Sequence, residues 1–153
     1  MARKDMITML DETSPGFNLS FWVGIGGLND KGDVMLIQAM LNFISEGHGD
    51  PSMVGVKLDF DLPDVTGSLD SSTIFSIIGF QNRWMRHLLA SVAGKIFPVD
   101  YKKYKYTESD TRRPVITMLH QLSLDAAGRL NESDYTEAMP KMFPQLRAFI
   151  KSK

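Results

Sequence analysis

The sequence predicts a compact, mainly helical fold with room for short strands. Apolar residues at 34, 37, 41 and 44 are separated by three, four and three positions, the spacing that lines one face of a helix. Similar runs cover residues 74 to 88 and begin again at residue 115. Glycine, proline and short polar residues separate the runs, as is typical of helices joined by turns. With 153 residues, 43% of them hydrophobic, the chain is long enough for one hydrophobic core.

The first helix is predicted to begin at Asp33 and to run to about Ser45. The carboxylate of Asp33 suits an N-cap, because it can accept hydrogen bonds from the free amides of a first turn. The segment EGHGDPS then ends the helix, since glycine permits positive backbone angles and the residue before Pro51 avoids the helical region. The buried face would consist of Val34, Ile37, Leu41 and Ile44.

The second helix follows the turn TGSLDSS and has the clearest helical spacing in the chain. Ser71 or Ser72 is expected to cap it. Its apolar residues are Ile74, Ile77, Ile78, Trp84, Met85 and Leu88.

The last third of the chain predicts one regular helix and one interrupted helix. Pro114 fits the first turn of the regular helix. The interrupted helix is expected to be disturbed by Pro140 and to restart near Pro144. The inward residues of the two would be Val115, Met118, Leu119 and Leu122, and then Leu146, Phe149 and Ile150.

Two segments lack a helical period. Residues 14–33, SPGFNLSFWVGIGGLNDKGD, mix aromatic residues with five glycines and predict an extended or looping arm around the domain. Residues 53–63 partly alternate apolar and polar side chains, which permits a short strand or an extended loop.

Composition excludes several classes of function. The net charge of -1 gives no general attraction to nucleic acid or to an anionic membrane, so neither is predicted as a partner. Cysteine is absent, which excludes disulfides, thiolate nucleophiles and cysteine zinc sites. The first sixteen residues lack the continuous apolar core of a signal peptide. We therefore expect a cytoplasmic protein, or one that reaches the periplasm or cell wall without a cleaved signal.

One set of residues over positions 22–98 has the order and spacing of a known domain. In TGSLDSSTIFSIIGFQ, the features are Gly67 at the turn, Leu69, Thr73 at the helix start, Ser76–Ile77 and Phe80–Gln81. Upstream stand Asn29, Asp33–Val34, Ile37–Gln38 and Leu41–Asn42, and downstream the turn GKIFP at 94–98. Together these features resemble the peptidoglycan-binding-like domain of bacterial cell-wall proteins, a compact three-helix bundle. The chain departs from that pattern at Thr66, Leu69 and Asp70, where the family usually has aspartate, an aromatic residue and glycine.

The resemblance implies a peptidoglycan-binding-like bundle over residues 20–98, after an N-terminal arm over 1–19. Residues 99–153 would form a helical C-terminal extension packed on it. The implied function is non-catalytic binding of the glycan or stem peptide of peptidoglycan. In that family the binding groove is associated with loops near the helix starts. The resulting candidates are Asn29, Asp33, Asp70, Ser72, Thr73 and Gln81 as polar groups, with Trp84 and Tyr101 as stacking faces.

Three other patterns lack the spacing that their chemistry needs. Gly24, Gly26 and Gly27 would place the third glycine of a dinucleotide fingerprint at Asn29. The carboxylates at 59, 61 and 64 do not form a calcium loop, because Pro63 and Asp64 occupy the positions of a ligand and of a glycine. The histidines at 48, 87 and 120 are each isolated. No catalytic residue, metal site or cofactor is therefore predicted.

The segment YKKYKY at 101–106 is the most distinctive polar feature. Its alternation favours an edge strand whose solvated lysines block further pairing. The alternative is a binding surface, since tyrosine faces can stack on sugar rings or bases.

Two other functions stay open. The same fold would serve a protein-interaction module, such as an adaptor, chaperone or immunity-type protein of a bacterial secretion or phage system. The missing signal peptide and the replacement of the family's aspartate by Thr66 point that way. A weaker alternative is a cell-wall hydrolase component with an unrecognised site in residues 99–153.

Overall fold

The computed structural model describes residues 2–9, 12–49, 62–84, 94–101 and 115–151. This part of the chain is mostly helical, with a small sheet. The strands are β1 (Ala2–Met9), β2 (Glu12–Asn18) and β3 (Ile150–Lys151). The helices are α1 (Lys31–His48), α2 (Ser71–Trp84), α3 (Val115–Arg129) and α4 (Tyr135–Met142), followed by a 3-10 helix (Pro144–Phe149).

The predicted arm over 1–19 contains a β-hairpin. Strand β1 lies in the middle of the sheet, antiparallel to β2 and parallel to β3. The sequence analysis predicted neither strand of the hairpin, and β2 contains Pro15 and Gly16, which strands usually lack. Pro15 is tolerated since β2 is an edge strand. Gly16 is required by packing, because a Cβ there would overlap the side chains of Ile7 and His120.

Helix α1 is the centre of the core. Its predicted face of Val34, Ile37, Leu41 and Ile44 is fully buried. Leu36, Ala39, Met40 and Phe43, which lie off that face, are fully buried as well. A helix that is apolar on most sides is one that other elements surround. The surrounding core includes Phe17, Ile77, Leu119 and Leu146, so elements from the whole described chain cover α1.

The start of α1 differs from the prediction by one turn. Asp30, and not Asp33, is the N-cap, and its Oδ1 accepts hydrogen bonds from the amides of Gly32 (3.0 Å) and Asp33 (3.2 Å). Both aspartates precede the apolar run, and the run alone does not distinguish them. The helix continues three residues past the predicted end at about Ser45, to His48, and Gly49 of the glycine segment is the C-cap in the left-handed region at φ 64°.

Gln38 of α1 fixes the turn that leads into α2. Its Nε2 donates to Ser68 O and to Thr73 Oγ1, both at 2.9 Å. Its Oε1 accepts from the amides of Thr66 (2.9 Å) and Gly67 (2.8 Å). An amide side chain has two N–H donors and an oxygen with two lone pairs, so these contacts satisfy Gln38 completely. The buried polar residue therefore sets where α2 begins.

Gln81 of α2 makes similar hydrogen bonds to the backbone of the turn at residues 94–95. Its Oε1 accepts from the amide of Gly94 (2.7 Å) and its Nε2 donates to Lys95 O (3.0 Å). Gly94 has φ 73° and Gly67 has φ 83°, so glycine is the favoured residue in both turns. One buried glutamine in each helix thus holds a later turn of the chain: Gln38 of α1 holds residues 66–68, and Gln81 of α2 holds residues 94–95.

Helix α3 agrees with the sequence pattern. Val115, Leu119 and Leu122 are buried on α3, and Met118 is half-buried. The last helix differs in part from the prediction, because α4 runs through Pro140 to Met142. The 3-10 helix begins at Pro144 with Leu146 fully buried, whereas Phe149 is half-buried and Ile150 lies in β3. The strand predicted over 53–63 and the edge strand predicted over 101–106 lie almost entirely outside the described residues.

A buried histidine links α3 to β2 and α4. The hydroxyl of Tyr135 accepts from the amide of Phe17 (3.1 Å) and lies 2.7 Å from His120 Nδ1. Burial lowers the pKa of His120 to about 4.

None of the helices described in the structure is long and apolar enough to cross a membrane.

Gln38→Ala should lower the free energy of unfolding by about 3 kcal/mol, because the buried amide of Gly67 and the buried hydroxyl of Thr73 would lose a partner, as would two part-buried backbone groups at residues 66 and 68. Chemical denaturation measures this loss. The matched control is Gln145→Ala, which removes one exposed hydrogen bond to Val65 O and should change stability by less than about 0.5 kcal/mol. Equal losses in the two variants would contradict the role given to Gln38.

The free energy of unfolding should decrease as the pH is lowered from about 6.5 to about 4. The unfolded state binds a proton on His120 near its usual pKa of 6.5, whereas the folded state binds it only near 4. The unfolded state therefore holds more protons in this interval, and the free energy of unfolding decreases as pH falls, by roughly 3 kcal/mol in total. Denaturation at several pH values should show this slope in the native protein and a smaller one in His120→Gln. The same slope in both would exclude His120 as its source.

Candidate functional site

The candidate site is a cleft of about 730 Å³ between strand β1 and the segment 98–101. Its volume lies within the usual range for small-molecule sites. The lining combines charged, apolar and aromatic side chains, which suits a ligand with both polar and apolar surfaces. These residues are Arg3, Asp5, Met6, Ser20, Pro98, Val99, Asp100 and Tyr101.

Asn18 holds the far wall of the cleft in place. Its Nδ2 donates to Val99 O (2.6 Å), and its Oδ1 accepts from the amide of Val99 (3.2 Å). A pair of backbone hydrogen bonds between Val23 and Ile96, both 2.9 Å, continues the attachment. The segment 96–101 is therefore fixed against residues 18–23, and the wall is preformed.

The near wall carries Arg3 and Asp5, and Asp100 adds a carboxylate on the far wall. Arg3 Nε lies 3.4 Å from Asp5 Oδ2, and the same oxygen accepts from Asn18 Nδ2 at 3.3 Å. The side chain of Asp5 is 11% exposed and that of Arg3 is 42% exposed, so the guanidinium is the more accessible charge. Met6 adds an exposed apolar surface beside them. The near wall thus combines an accessible cation with an exposed apolar side chain.

Tyr101 is the one predicted site residue that lines the cleft. The other predicted residues lie elsewhere, and most have polar atoms engaged within the fold. Asn29 Oδ1 accepts from Gly24 N (2.8 Å), and its Nδ2 donates to Gly24 O (2.9 Å) and Gly27 O (3.1 Å). Its amide therefore closes a glycine turn.

Asp33 supports the loop that precedes α1. It is fully buried, and its two carboxylate oxygens accept from the amides of Ser20 (3.0 Å) and Phe21 (2.9 Å). Burial raises the pKa of the Asp33 carboxyl above its usual range, and the two amide hydrogen bonds oppose that rise. A ligand has no access to this carboxylate in the folded chain.

Asp70, Ser72 and Thr73 form the start of α2. Asp70 Oδ1 accepts from the amide of Thr73 (2.8 Å) and from its hydroxyl, and Asp70 O accepts from Ile74 N (3.1 Å). Asp70 is thus the capping residue, where the sequence predicted Ser71 or Ser72. Thr73 is buried and also receives the hydrogen bond from Gln38, while Ser72 is half-buried.

Gln81 and Trp84 complete the predicted set. Gln81 is buried and holds the turn at 94–95, as described above. Trp84 is half-buried, with the guanidinium of Arg83 5.3 Å from its ring centroid. The eight predicted residues therefore do not gather into one site. Whether the accessible ones contact a ligand stays a prediction.

The described histidines have structural partners. His48 Nδ1 lies 2.9 Å from Ile44 O, and His48 Nε2 lies 2.7 Å from Asp125 Oδ2. Hydrogen bonding from His48 lowers the pKa of the Asp125 carboxyl. Within the described ranges no group of three or more histidine or carboxylate side chains could hold a metal ion. His87 lies outside those ranges.

No family model matches this sequence, and no curated protein or solved structure matches it either. Function is therefore inferred from the residues of this chain.

Proposed function

We propose that this chain is a non-catalytic module that binds bacterial cell-wall peptidoglycan. The observation that carries the proposal is the way in which the residues of the resemblance contact one another. Gln38 bonds to Gly67 and Thr73, and Gln81 bonds to Gly94. All five residues belong to the motif that resembles the peptidoglycan-binding-like domain.

Mutual contact makes the resemblance more informative than sequence order alone. A chance match would scatter its residues over unrelated environments. Here each motif glutamine meets the glycine turn that follows its helix, and Asn29 and Asp33 fix the loop before α1. This supports a bundle of the peptidoglycan-binding-like kind over residues 20–98.

The cleft is the proposed binding site. Stem peptides carry carboxylates, which the exposed guanidinium of Arg3 can bind, and apolar side chains, which fit Met6. The ring of Tyr101 offers a surface on which a sugar can stack. Peptidoglycan would thus bind to residues that line the cleft, while the motif residues maintain the shape of the fold.

Purified bacterial sacculi should retain the full chain at low ionic strength, where charge-assisted contacts are least screened. Arg3→Gln and Tyr101→Ala should each reduce retention roughly tenfold, which corresponds to about 1.4 kcal/mol of binding free energy. Co-sedimentation with sacculi at several protein concentrations measures the effect.

The matched control is Arg129→Gln, which removes an exposed arginine that pairs with Asp125 on α3, away from the cleft. It should be retained like the native chain. Absence of retention at low salt, or equal losses in all three variants, would exclude the cleft as a peptidoglycan site. Release of soluble muropeptides in the same incubation would instead identify a hydrolase.

The second candidate is a protein-interaction module. It is favoured by the observation that Asn29, Asp33, Thr73 and Gln81 are engaged inside the fold. A protein partner that occupies the cleft would be sensitive to Arg3→Gln and Tyr101→Ala, but the native chain would not sediment with sacculi.

A further inference from the structure

The loop between β2 and α1 exposes large apolar residues. Ile25 and Leu28 have relative exposures of 67% and 66%, the highest among the large hydrophobic residues that the structure describes. Phe21 (47%) lies in the same loop, and Phe97 (43%) lies on the segment bonded to it. We refer to Phe21, Ile25, Leu28 and Phe97 as the apolar tip. A cluster of this kind generally marks an interaction surface.

The apolar tip stands on a fixed turn. Asn29 makes three hydrogen bonds to Gly24 and Gly27, and Gly27 N donates to Gly24 O at 3.0 Å. The turn therefore projects Ile25 and Leu28 without a flexible linker. A preformed turn of this kind suits a deformable surface into which the side chains of Ile25 and Leu28 can insert.

Trp22 forms the base of the apolar tip. Its ring stacks on Phe97 with centroids 5.3 Å apart and an interplanar angle of 29°. Gly27 lies so close that an added Cβ would be 2.7 Å from Trp22 O and 3.0 Å from the ring. Trp22 is half-buried, with its ring between the glycine turn and Phe97. An indole in this position, below more exposed aliphatic residues, suits the interface between lipid headgroups and acyl chains.

One lysine, Lys95, lies beside the base of the apolar tip, and a second, Lys31, follows Leu28 by three positions along the chain. Lys95 Nζ is 5.5 Å from the centroid of the Trp22 ring, and Lys31, at the first position of α1, is 5.5 Å from that of Phe149. Neither has a carboxylate within ion-pair distance in the part of the chain that the structure describes. The nearest carboxylate along the loop, Asp30, accepts hydrogen bonds from two amides of α1. Both cations thus remain available to an anionic surface.

We propose that the apolar tip is an interfacial anchor for an anionic lipid bilayer. Ile25 and Leu28 insert among the upper acyl chains, Trp22 lies at the headgroups, and Lys31 and Lys95 contact lipid phosphates. The anchor needs no membrane-spanning helix. It revises the expectation from net charge that a membrane is not a partner, because the relevant charge is local. It is independent of the cleft and of peptidoglycan.

Co-sedimentation of the full chain with lipid vesicles tests the anchor. Vesicles of equal parts phosphatidylcholine and phosphatidylglycerol should bind the native chain, and pure phosphatidylcholine should bind it more weakly. Ile25→Ser with Leu28→Ser should reduce partitioning at least about tenfold, since two large apolar side chains lose their burial. The matched control Leu124→Ser removes an exposed leucine from α3 and should leave partitioning unchanged.

The lysines give a second, separable readout. Lys31→Gln and Lys95→Gln should each weaken binding to the anionic vesicles about fivefold and leave the weak binding to phosphatidylcholine unchanged. Lys141→Gln, an exposed lysine on α4, is the matched control. Emission from Trp22, measured in a Trp84→Phe background, should shift to shorter wavelength on binding.

Three outcomes would overturn the anchor. The first is no binding of the native chain to either vesicle. The second is binding that the double serine variant retains or that Leu124→Ser equally loses. The third is a concentration-dependent dimer that the double serine variant abolishes while vesicles remain unbound, which would assign the apolar tip to a second copy of the chain. Lys95 and Trp84 are half-buried and the other substituted positions are exposed, so circular dichroism of each variant should match that of the native chain before its binding is compared.

Discussion

The side-chain amide of Gln38 is the interaction on which the described architecture depends. Because it bonds to the backbone at 66, 67 and 68 and to Thr73, it fixes the start of α2 against the central helix. Helix α2 then carries Gln81, which fixes the chain at 94 and 95. The next residues pair with Val23 and Asn18 and form one wall of the cleft. A polar contact in the core thus determines the shape of a surface far along the chain.

The two glutamine contacts define a structural unit that consists of one helix and the glycine turn to which its glutamine bonds. In both units a glycine with positive φ supplies the amide that the glutamine oxygen receives. An amide that is fully paired rigidifies a core and specifies one arrangement of its neighbours. The motif behind the resemblance to the peptidoglycan-binding-like domain therefore describes a framework. The residues that line the cleft lie outside this framework, apart from Pro98 at its end, so the cleft can bind a different ligand without any change in the framework.

Much of the fold could be predicted from the sequence, because helical spacing of apolar residues reports burial directly. That spacing placed α1, α2 and α3, and Pro144 marked the restart after α4, which runs through Pro140 to Met142. The capping residues were harder to predict. Asp30 and Asp33 have the same side chain, and only the three-dimensional path of the loop distinguishes them. Strand β2 was missed because its edge position and the close approach of His120 permit Pro15 and Gly16.

The candidate site could be predicted only at Tyr101. Arg3 and Tyr101 are almost a hundred positions apart, and no local pattern connects residues that meet through sheet pairing and a buried asparagine. Polar residues near the ends of helices, such as Asp33 and Gln81, were predicted to be binding groups because sequence does not report burial. The apolar tip had a signal in the run FWVGIGGL, where glycines leave large side chains without a helix or strand to bury them.

The small sheet has a further consequence at its edges. An open strand edge offers unpaired amides and carbonyls on which another chain can build. On one side, β2 contains Pro15, which has no amide proton and interrupts any continuous ladder. On the other side, β3 spans two residues and is too short to template a partner strand. The β2 border of the sheet is thus a poor site for strand addition, which protects that edge of the hairpin from edge-to-edge aggregation.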